Sequence, residues 1–160
     1  MIIEEREGVM PEVKFDVETT MSPEQVKAAL LDFGDNRPNI WPGLAAEEYK
    51  VNSVGDGSAD VREGTRMPGM EIWARETYDW TKPNTVRWTV SESNFCEAGS
   101  FMETVLEAAE GGGTIIHVTW NRTGSTEQGR AIIQMVVDSG GQLVKDSLEG
   151  AFRGMEAAAG

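Results

Sequence analysis

Hydrophobic and polar residues first alternate with a period of two: Val13, Phe15 and Val17 are interleaved with Lys14, Asp16 and Glu18, the pattern of a half-buried strand. A helix start follows. In Ser22-Pro23-Glu24-Gln25 a capping serine precedes a proline in the first turn and a glutamine stands three residues after the cap, and Val26, Ala29, Leu30 and Phe33 then recur at helical spacing until Gly34. Residues 35–43 are too rich in turn formers for a long element and admit one short helical turn before Pro42, with Trp41 near its end. From Leu44 to Trp120 the pattern predicts strands over 46–54, 60–65, 70–80, 85–92, 99–109 and 114–123, reversed at Gly55-Asp56-Gly57, Lys82-Pro83-Asn84 and Gly111-Gly112-Gly113. Short reversals dictate an antiparallel meander, because a parallel pair needs a crossover of about a dozen residues.

The period changes after that. Ser125-Thr126-Glu127-Gln128 repeats the capping pattern, and Ile132, Ile133, Val136, Gly140, Leu143, Val144, Ser147, Ala151 and Met155 recur at three and four. This predicts a helix of about 28 residues, or ~42 Å, long enough to cross a sheet. Gly140 and Gly141 in its middle each cost about 1 kcal/mol relative to alanine, which points to a close approach or a bend. The alternative is a break into two shorter helices.

Strand parity assigns an inner face. Val86, Trp88 and Val90 share one side of their strand, Met102, Thr104, Leu106 and Ala108 one side of the next, and Ile116, Val118 and Trp120 one side of the last. Strand 70–80 is the exception, since the side that carries Met70, Ile72, Ala74, Tyr78 and Trp80 also carries Glu76. An inward carboxylate costs several kcal/mol unless it is paired or neutralised, so Glu76 is either a binding group or the mark of a bulge that shifts the parity.

The chain has 160 residues, the length of one domain spanning 1–160, with 1–10 read as a tail that can be flexible. Charge narrows its partners. With 27 acidic against 14 basic residues the formal net charge is −13, which opposes binding to nucleic acid and to anionic membrane surfaces. The charged start Met-Ile-Ile-Glu-Glu-Arg-Glu and the lack of any apolar run of about 20 residues predict a cytoplasmic protein without a signal peptide or stable membrane insertion. Cys96 is the only cysteine, so neither an intramolecular disulfide nor a multi-thiolate zinc site can form. His117 is the only histidine and falls on the outer side of its strand with Ile115 and Thr119, which argues against a nucleophile–histidine system. The glycine runs lie between strands and do not fit phosphate loops, and Asp56 and Asp60 lack a calcium-loop pattern. No metal and no cofactor is expected.

A sheet face of this kind under one helix is satisfied either by a filled core or by an apolar pocket with a few polar groups. The order of elements resembles the helix-grip fold of the START-like (SRPBCC) superfamily, which includes birch-pollen-allergen-like proteins and polyketide cyclases. Its carriers are the Ser22-Pro23-Glu24-Gln25-Val26 helix start, the Ile40-Trp41-Pro42-Gly43 loop, the Tyr78-Asp79-Trp80-Thr81-Lys82-Pro83 strand end, and Gly112-Gly113-Thr114 before a strand closing in Val118-Thr119-Trp120. The resemblance implies an α+β fold in which a curved antiparallel sheet of about seven strands wraps around a long C-terminal helix, with short helices after the first strand and Trp41 near the mouth of a cavity.

Binding of a small hydrophobic ligand, lipid-like or aromatic, between sheet and helix is the expected function. Trp88, Trp120, Tyr78, Met102, Leu106, Ile116 and Val118 would supply the sheet wall, joined by Ile72, Glu76 and Trp41. Ile132, Met135, Val136, Gly140 and Leu143 would supply the helix wall. Two alternatives stand beside this: a cofactor-free polyketide cyclase or dehydratase drawing on Glu76, Tyr78 and Arg75 or Arg87, and a pocketless protein-interaction module. No family motif maps onto those candidates. Ile133, Val137 and Val144 on the helix and Phe101 and Val105 on the outer sheet face would offer a homodimer contact.

Overall fold

The alternating segments become strands β1 (Glu12–Thr19), β2 (Lys50–Val54), β3 (Ser58–Met67), β4 (Met70–Asp79), β5 (Thr85–Ser93), β6 (Phe101–Ala108) and β7 (Thr114–Asn121). The computed structural model describes residues 12–159, and the stretch 1–10 read above as a tail lies outside them. The strands form one curved sheet in the order β1-β7-β6-β5-β4-β3-β2, antiparallel throughout. β2 to β7 are the expected meander, while β1 returns to pair with β7, with Val17 opposite Ile116. Strand boundaries shift by at most two residues from their expectations except at the start of β2, where Ala46–Glu48 is a turn of 3-10 helix instead of the start of a strand. Alanine and glutamate are weak strand formers, and the alternation there begins only with Val51. The β3–β4 reversal, Met67-Pro68-Gly69-Met70, places proline and then a positive-φ glycine (Gly69, φ 84°) at its centre, as a type II turn requires.

Helix α1 (Pro23–Leu30) starts at the expected box: the Gln25 amide donates to Ser22 Oγ at 3.2 Å, and the Ser22 amide donates to Gln25 Oε1 at 2.8 Å. A single turn, α2 (Arg37–Ile40), follows. The carboxyl-terminal segment is two helices, α3 (Glu127–Asp138) and the long α4 (Gln142–Ala159), so the uninterrupted 28-residue helix is corrected to the broken alternative. Both glycines cause the break, at φ 68° for Gly140 and 88° for Gly141. Gly141 is also a close approach, since a β-carbon there would lie 3.1 Å from Phe15 Cδ2 and Val13 Cγ2 on β1. The cap of α3 is Thr126, one residue later than the sequence pattern suggests, with its hydroxyl accepting from the Gly129 amide at 2.9 Å.

The core lies between the inner face of the sheet and the helices. Val17, Val61, Val86, Ile116 and Val118 from the strands meet Val26 of α1, Ile133 of α3 and Phe152 of α4. Of the helix and sheet residues offered above for a dimer, Ile133 is buried, Val137 and Val144 pack against the core, and Phe101 lies beneath the Arg87 guanidinium at 3.7 Å. Val105 is exposed. On the outer face His117 bridges β1 and β6, with Nδ1 2.8 Å from Asp16 and Nε2 2.7 Å from Glu107. Its hydrogen bonds to Glu107 and Asp16 hold its pKa above the ordinary histidine value.

Candidate functional site in the interior

Register brings ionisable groups to the inner face. Across β3 and β4, Ala59 faces Tyr78, Val61 faces Glu76 and Glu63 faces Ala74, so Tyr78, Glu76 and Glu63 project inward from neighbouring strands. A bulge is also present: Arg75 pairs with Glu92 and Glu76 with Val90, leaving Ser91 as the extra residue on β5. The bulge does not turn Glu76 outward. Its residue exposure is 4%, and it shares the buried side with Ala74 and Tyr78.

Two buried arginines reach this cluster from opposite ends of the chain. Arg37, at the start of α2, donates from Nε to Glu63 Oε2 at 2.7 Å, from Nη1 to the carbonyls of Leu30 (3.0 Å) and Asp32 (2.9 Å), and from Nη2 to the Tyr78 hydroxyl at 3.1 Å. Its guanidinium also lies 4.7 Å from the Phe33 ring centroid. The Tyr78 hydroxyl donates to Glu63 Oε1, closing a ring of three side chains. Arg122, just past β7, donates from Nη2 to Glu76 Oε2 at 3.3 Å and from Nη1 to Cys96 Sγ at 3.7 Å.

Burial sets the protonation pattern. Desolvation alone would lower the Arg37 pKa, but the Tyr78 and Glu63 oxygens around it hold it above the ordinary arginine value. Tyr78 is pushed well above the usual phenol value by burial and by the Glu63 charge, against the pull of Arg37. Burial pushes the Glu76 carboxyl up to about 8, opposed by the Arg122 charge and reinforced by the Glu63 carboxylate. Glu76 is therefore mostly protonated at neutral pH, and the folded state holds its proton more tightly than the unfolded chain does. The stability tied to that proton is complete below the unfolded value near 4.5 and is lost as pH rises through about 8. Glu76→Gln should remove this slope: the difference in unfolding free energy between variant and wild type, from urea titrations, should shift in the variant's favour by on the order of 1 kcal/mol per pH unit within that window. A pH-independent difference would show that Glu76 is ionised throughout.

Aromatic rings flank the cluster. Tyr78 stacks on Trp88 with centroids 5.1 Å apart at 17°, and Phe33 meets the Tyr78 ring edge-on at 5.0 Å. Trp41 packs against Phe152 of α4 at 5.5 Å and 86°.

The expected sheet-wall residues Tyr78, Trp88, Met102, Leu106, Ile116, Val118 and Trp120 are all buried on the inner face together with Glu76, while Ile72 and Trp41 are half-buried against the core. The helix wall is different. Val136 is buried and Ile132 half-buried, but Met135 is 56% and Leu143 49% exposed, and Gly140 sits exposed in the break. Within α3 the inward face is centred on Ile133 and Val136, and the break resets the helical phase beyond it, so Leu143 turns outward. Arg75 and Arg87 are corrected as interior candidates as well. Arg75 is held on the outer face by Asp60 (2.6 and 2.9 Å), beside a depression of about 400 Å³ lined by Asp60, Arg75, Thr77, Ser91 and Glu92, and Arg87 pairs with Glu103 at 3.4 Å. Sequence reasoning missed Glu63, Arg37 and Arg122. Parity carried a signal for two of them, since Glu63 shares the side of Val61 and Arg122 the side of Trp120.

Among the described residues no group of three or more His, Cys, Asp or Glu side chains is placed to hold a metal ion, and no helix is long and apolar enough to cross a membrane. No curated protein matches the sequence. Solved structures do match the fold. A protein from Thermus thermophilus aligns with a TM-score of 0.74 at 19% identity, over 94% of this chain and 100% of that one. The Zhui aromatase/cyclase from a Streptomyces species aligns with a TM-score of 0.74 at 16% identity, over 94% and 98%. A START superfamily protein from Mycobacterium smegmatis gives 0.72 at 11% identity, over 90% and 98%. The family model described as polyketide cyclase / dehydrase and lipid transport matches residues 10–159. A match over almost the whole sequence, on a seven-stranded helix-grip sheet, makes this chain a member of that family within the START-like superfamily.

Proposed function

We propose that the protein binds a small, largely apolar molecule, ring-bearing or lipid-like, between the inner face of the sheet and helices α3 and α4. Glu76 is the observation that carries this reading. A core that needed only to be filled gains nothing from a carboxyl group, whose burial without full pairing costs several kcal/mol, whereas a site that must orient a ligand needs one polar contact in an apolar wall. Tyr78, Trp88, Met102 and Trp120 supply flat and adaptable surface around that contact. The family description, which joins cyclases with lipid transport, supports the same class of ligand.

The test is a native mass spectrum of freshly purified protein set against its denatured mass, followed by thermal shifts with lipids, aromatics and polyketides. A ligand at a hundredfold its Kd adds about 2.7 kcal/mol of stability, a shift of several degrees. No added mass together with flat melting curves across all three classes would leave a filled-core interaction module in its place.

A second reading, a cyclase or dehydratase, is favoured by one specific observation: a carboxyl that titrates near 8 can give a proton to a carbonyl or departing hydroxyl oxygen and take one from an adjacent carbon within the same pH range. The two readings differ in one measurable way. Glu76→Gln abolishes turnover in a cyclase and only shifts affinity in a carrier.

A further inference from the structure

We propose that Arg122 is the anchor for an anionic oxygen on the otherwise apolar ligand, and that Glu76 is the side chain that yields to it. This rests on the ligand-binding reading above and adds the charge of the ligand to it.

The contrast between the two buried arginines carries the inference. Arg37, 3% exposed, has four hydrogen bonds of 2.7–3.1 Å to Glu63, Tyr78 and two carbonyls, a set that satisfies its fork and pins α2 to the sheet. Arg122 is 9% exposed, yet among the described residues its hydrogen-bond partners are only the Glu76 carboxyl at 3.3 Å and the Cys96 sulfur at 3.7 Å, with the Phe95 ring centroid 5.9 Å from its guanidinium. Charge-assisted N–H···O bonds run at about 2.7–2.9 Å, so these contacts leave most of a five-donor group's capacity unused.

Its position is interior. Arg122 follows Trp120 on the inner side of β7, and its partner Glu76 is on β4, three places along the sheet order. At about 4.8 Å per strand that is roughly 14 Å of sheet, so the pair reaches toward each other across the inner face. The strands between them present Trp88, Val90, Met102 and Thr104 there, and α3 above presents Ile133 and Val136, none of them charged. The charged and titratable groups facing the pair are Glu63 from β3, Tyr78 from β4, Arg37 from α2 and Cys96 from the loop after β5. Glu63 is bound by Arg37 and Tyr78, and its carboxylate also acts on Glu76, helping to keep that carboxyl protonated. With Glu76 mostly protonated at neutral pH, Arg122 has no fully charged hydrogen-bond partner among the described residues, and an anionic oxygen completes it. When Glu76 ionises it becomes the competing anion.

Two probes of nearly the same shape separate this from simple apolar binding: 8-anilinonaphthalene-1-sulfonate, which is anionic at all relevant pH, and N-phenyl-1-naphthylamine, its neutral counterpart. In the intact protein the sulfonate should bind about tenfold more weakly at high pH, where Glu76 is ionised, than at neutral pH, with the neutral probe unchanged. Arg122→Met should weaken the sulfonate by about tenfold or more and leave the neutral probe within about twofold. Glu76→Gln should abolish the pH dependence, and that measurement decides the matter even if Arg122→Met does not fold. The net charge of −13 works against any anion, so preference for the sulfonate has to be local. If Arg122→Met binds the sulfonate as wild type does, or the sulfonate shows no fall that Glu76→Gln removes, Arg122 is structural and the apolar site stands without it. Failure of wild type to bind even the neutral probe would overturn the ligand-binding reading together with this one.

Discussion

Replacing Arg37 by methionine is expected to cost about 3–5 kcal/mol of unfolding free energy, the loss that follows when one partner of a buried ion pair is removed. The side chain is nearly volume-matched, so the loss is electrostatic rather than steric. It strands the Glu63 carboxylate beside a tyrosine hydroxyl, and it leaves the carbonyls of Leu30 and Asp32 without a donor where α1 ends. Arg37 thus ties together three things that are far apart in sequence: the end of α1, strand β3 through Glu63, and strand β4 through Tyr78. Chemical denaturation followed by far-UV circular dichroism measures the loss. A midpoint within experimental error of wild type would show that water replaces the guanidinium without penalty and that the ring of Arg37, Glu63 and Tyr78 does not hold the fold.

Gly129→Ala sets two effects of known size against each other. In an exposed helix the change stabilises by about 1 kcal/mol, because alanine loses less conformational freedom. Here the first turn of α3 lies on the backbone of the loop after β5, and a β-carbon would overlap the Phe95 carbonyl oxygen and stand 2.8 Å from its carbon. That oxygen already accepts from the Ser125 amide at 3.0 Å, and the Gly129 amide donates to the Thr126 cap, so neither side can retreat without breaking a hydrogen bond. Overpacking of this kind costs about 1–3 kcal/mol and more where the obstacle is backbone, so a net loss of about 2–3 kcal/mol is expected. A stabilised variant in the same denaturation assay would mean that α3 is free to lift away from the loop.

The fold was legible wherever a physical period was uninterrupted. Val13, Phe15 and Val17, or Ile116, Val118 and Trp120, announce a half-buried strand by alternation alone, and the reciprocal cap between Ser22 and Gln25 is a local event that needs nothing from the rest of the chain. Helical phase is less forgiving. Two positive-φ glycines stop α3 and restart α4, so Leu143, in step with Val136 on an unbroken helix, points to solvent. Position in a loop hides chemistry in another way. Arg37 sits among Asp35, Asn36, Pro38 and Asn39 and reads as a solvated charge, because its burial comes from β3 and β4 folding over it, a tertiary fact with no local signature. Glu76 was legible as an anomaly because its strand is otherwise apolar on that side. The same parity test, extended one strand back to Glu63 and one residue past the last strand to Arg122, picks out the rest of the cluster.

β1 leaves the ribosome first, and its place beside β7 does not exist until about a hundred further residues have been made, as the contact between Asp16 and His117 shows. The six strands of the meander can each find a neighbour within a short reversal, but this pairing closes the largest loop in the sheet and carries the highest entropic cost. Until it forms, β7 presents a bare edge, and Val13 and Val17 on β1 lack the partners that bury them. The nascent chain is therefore most exposed to wrong partners late in synthesis, and the strand made earliest is the one that ends that exposure.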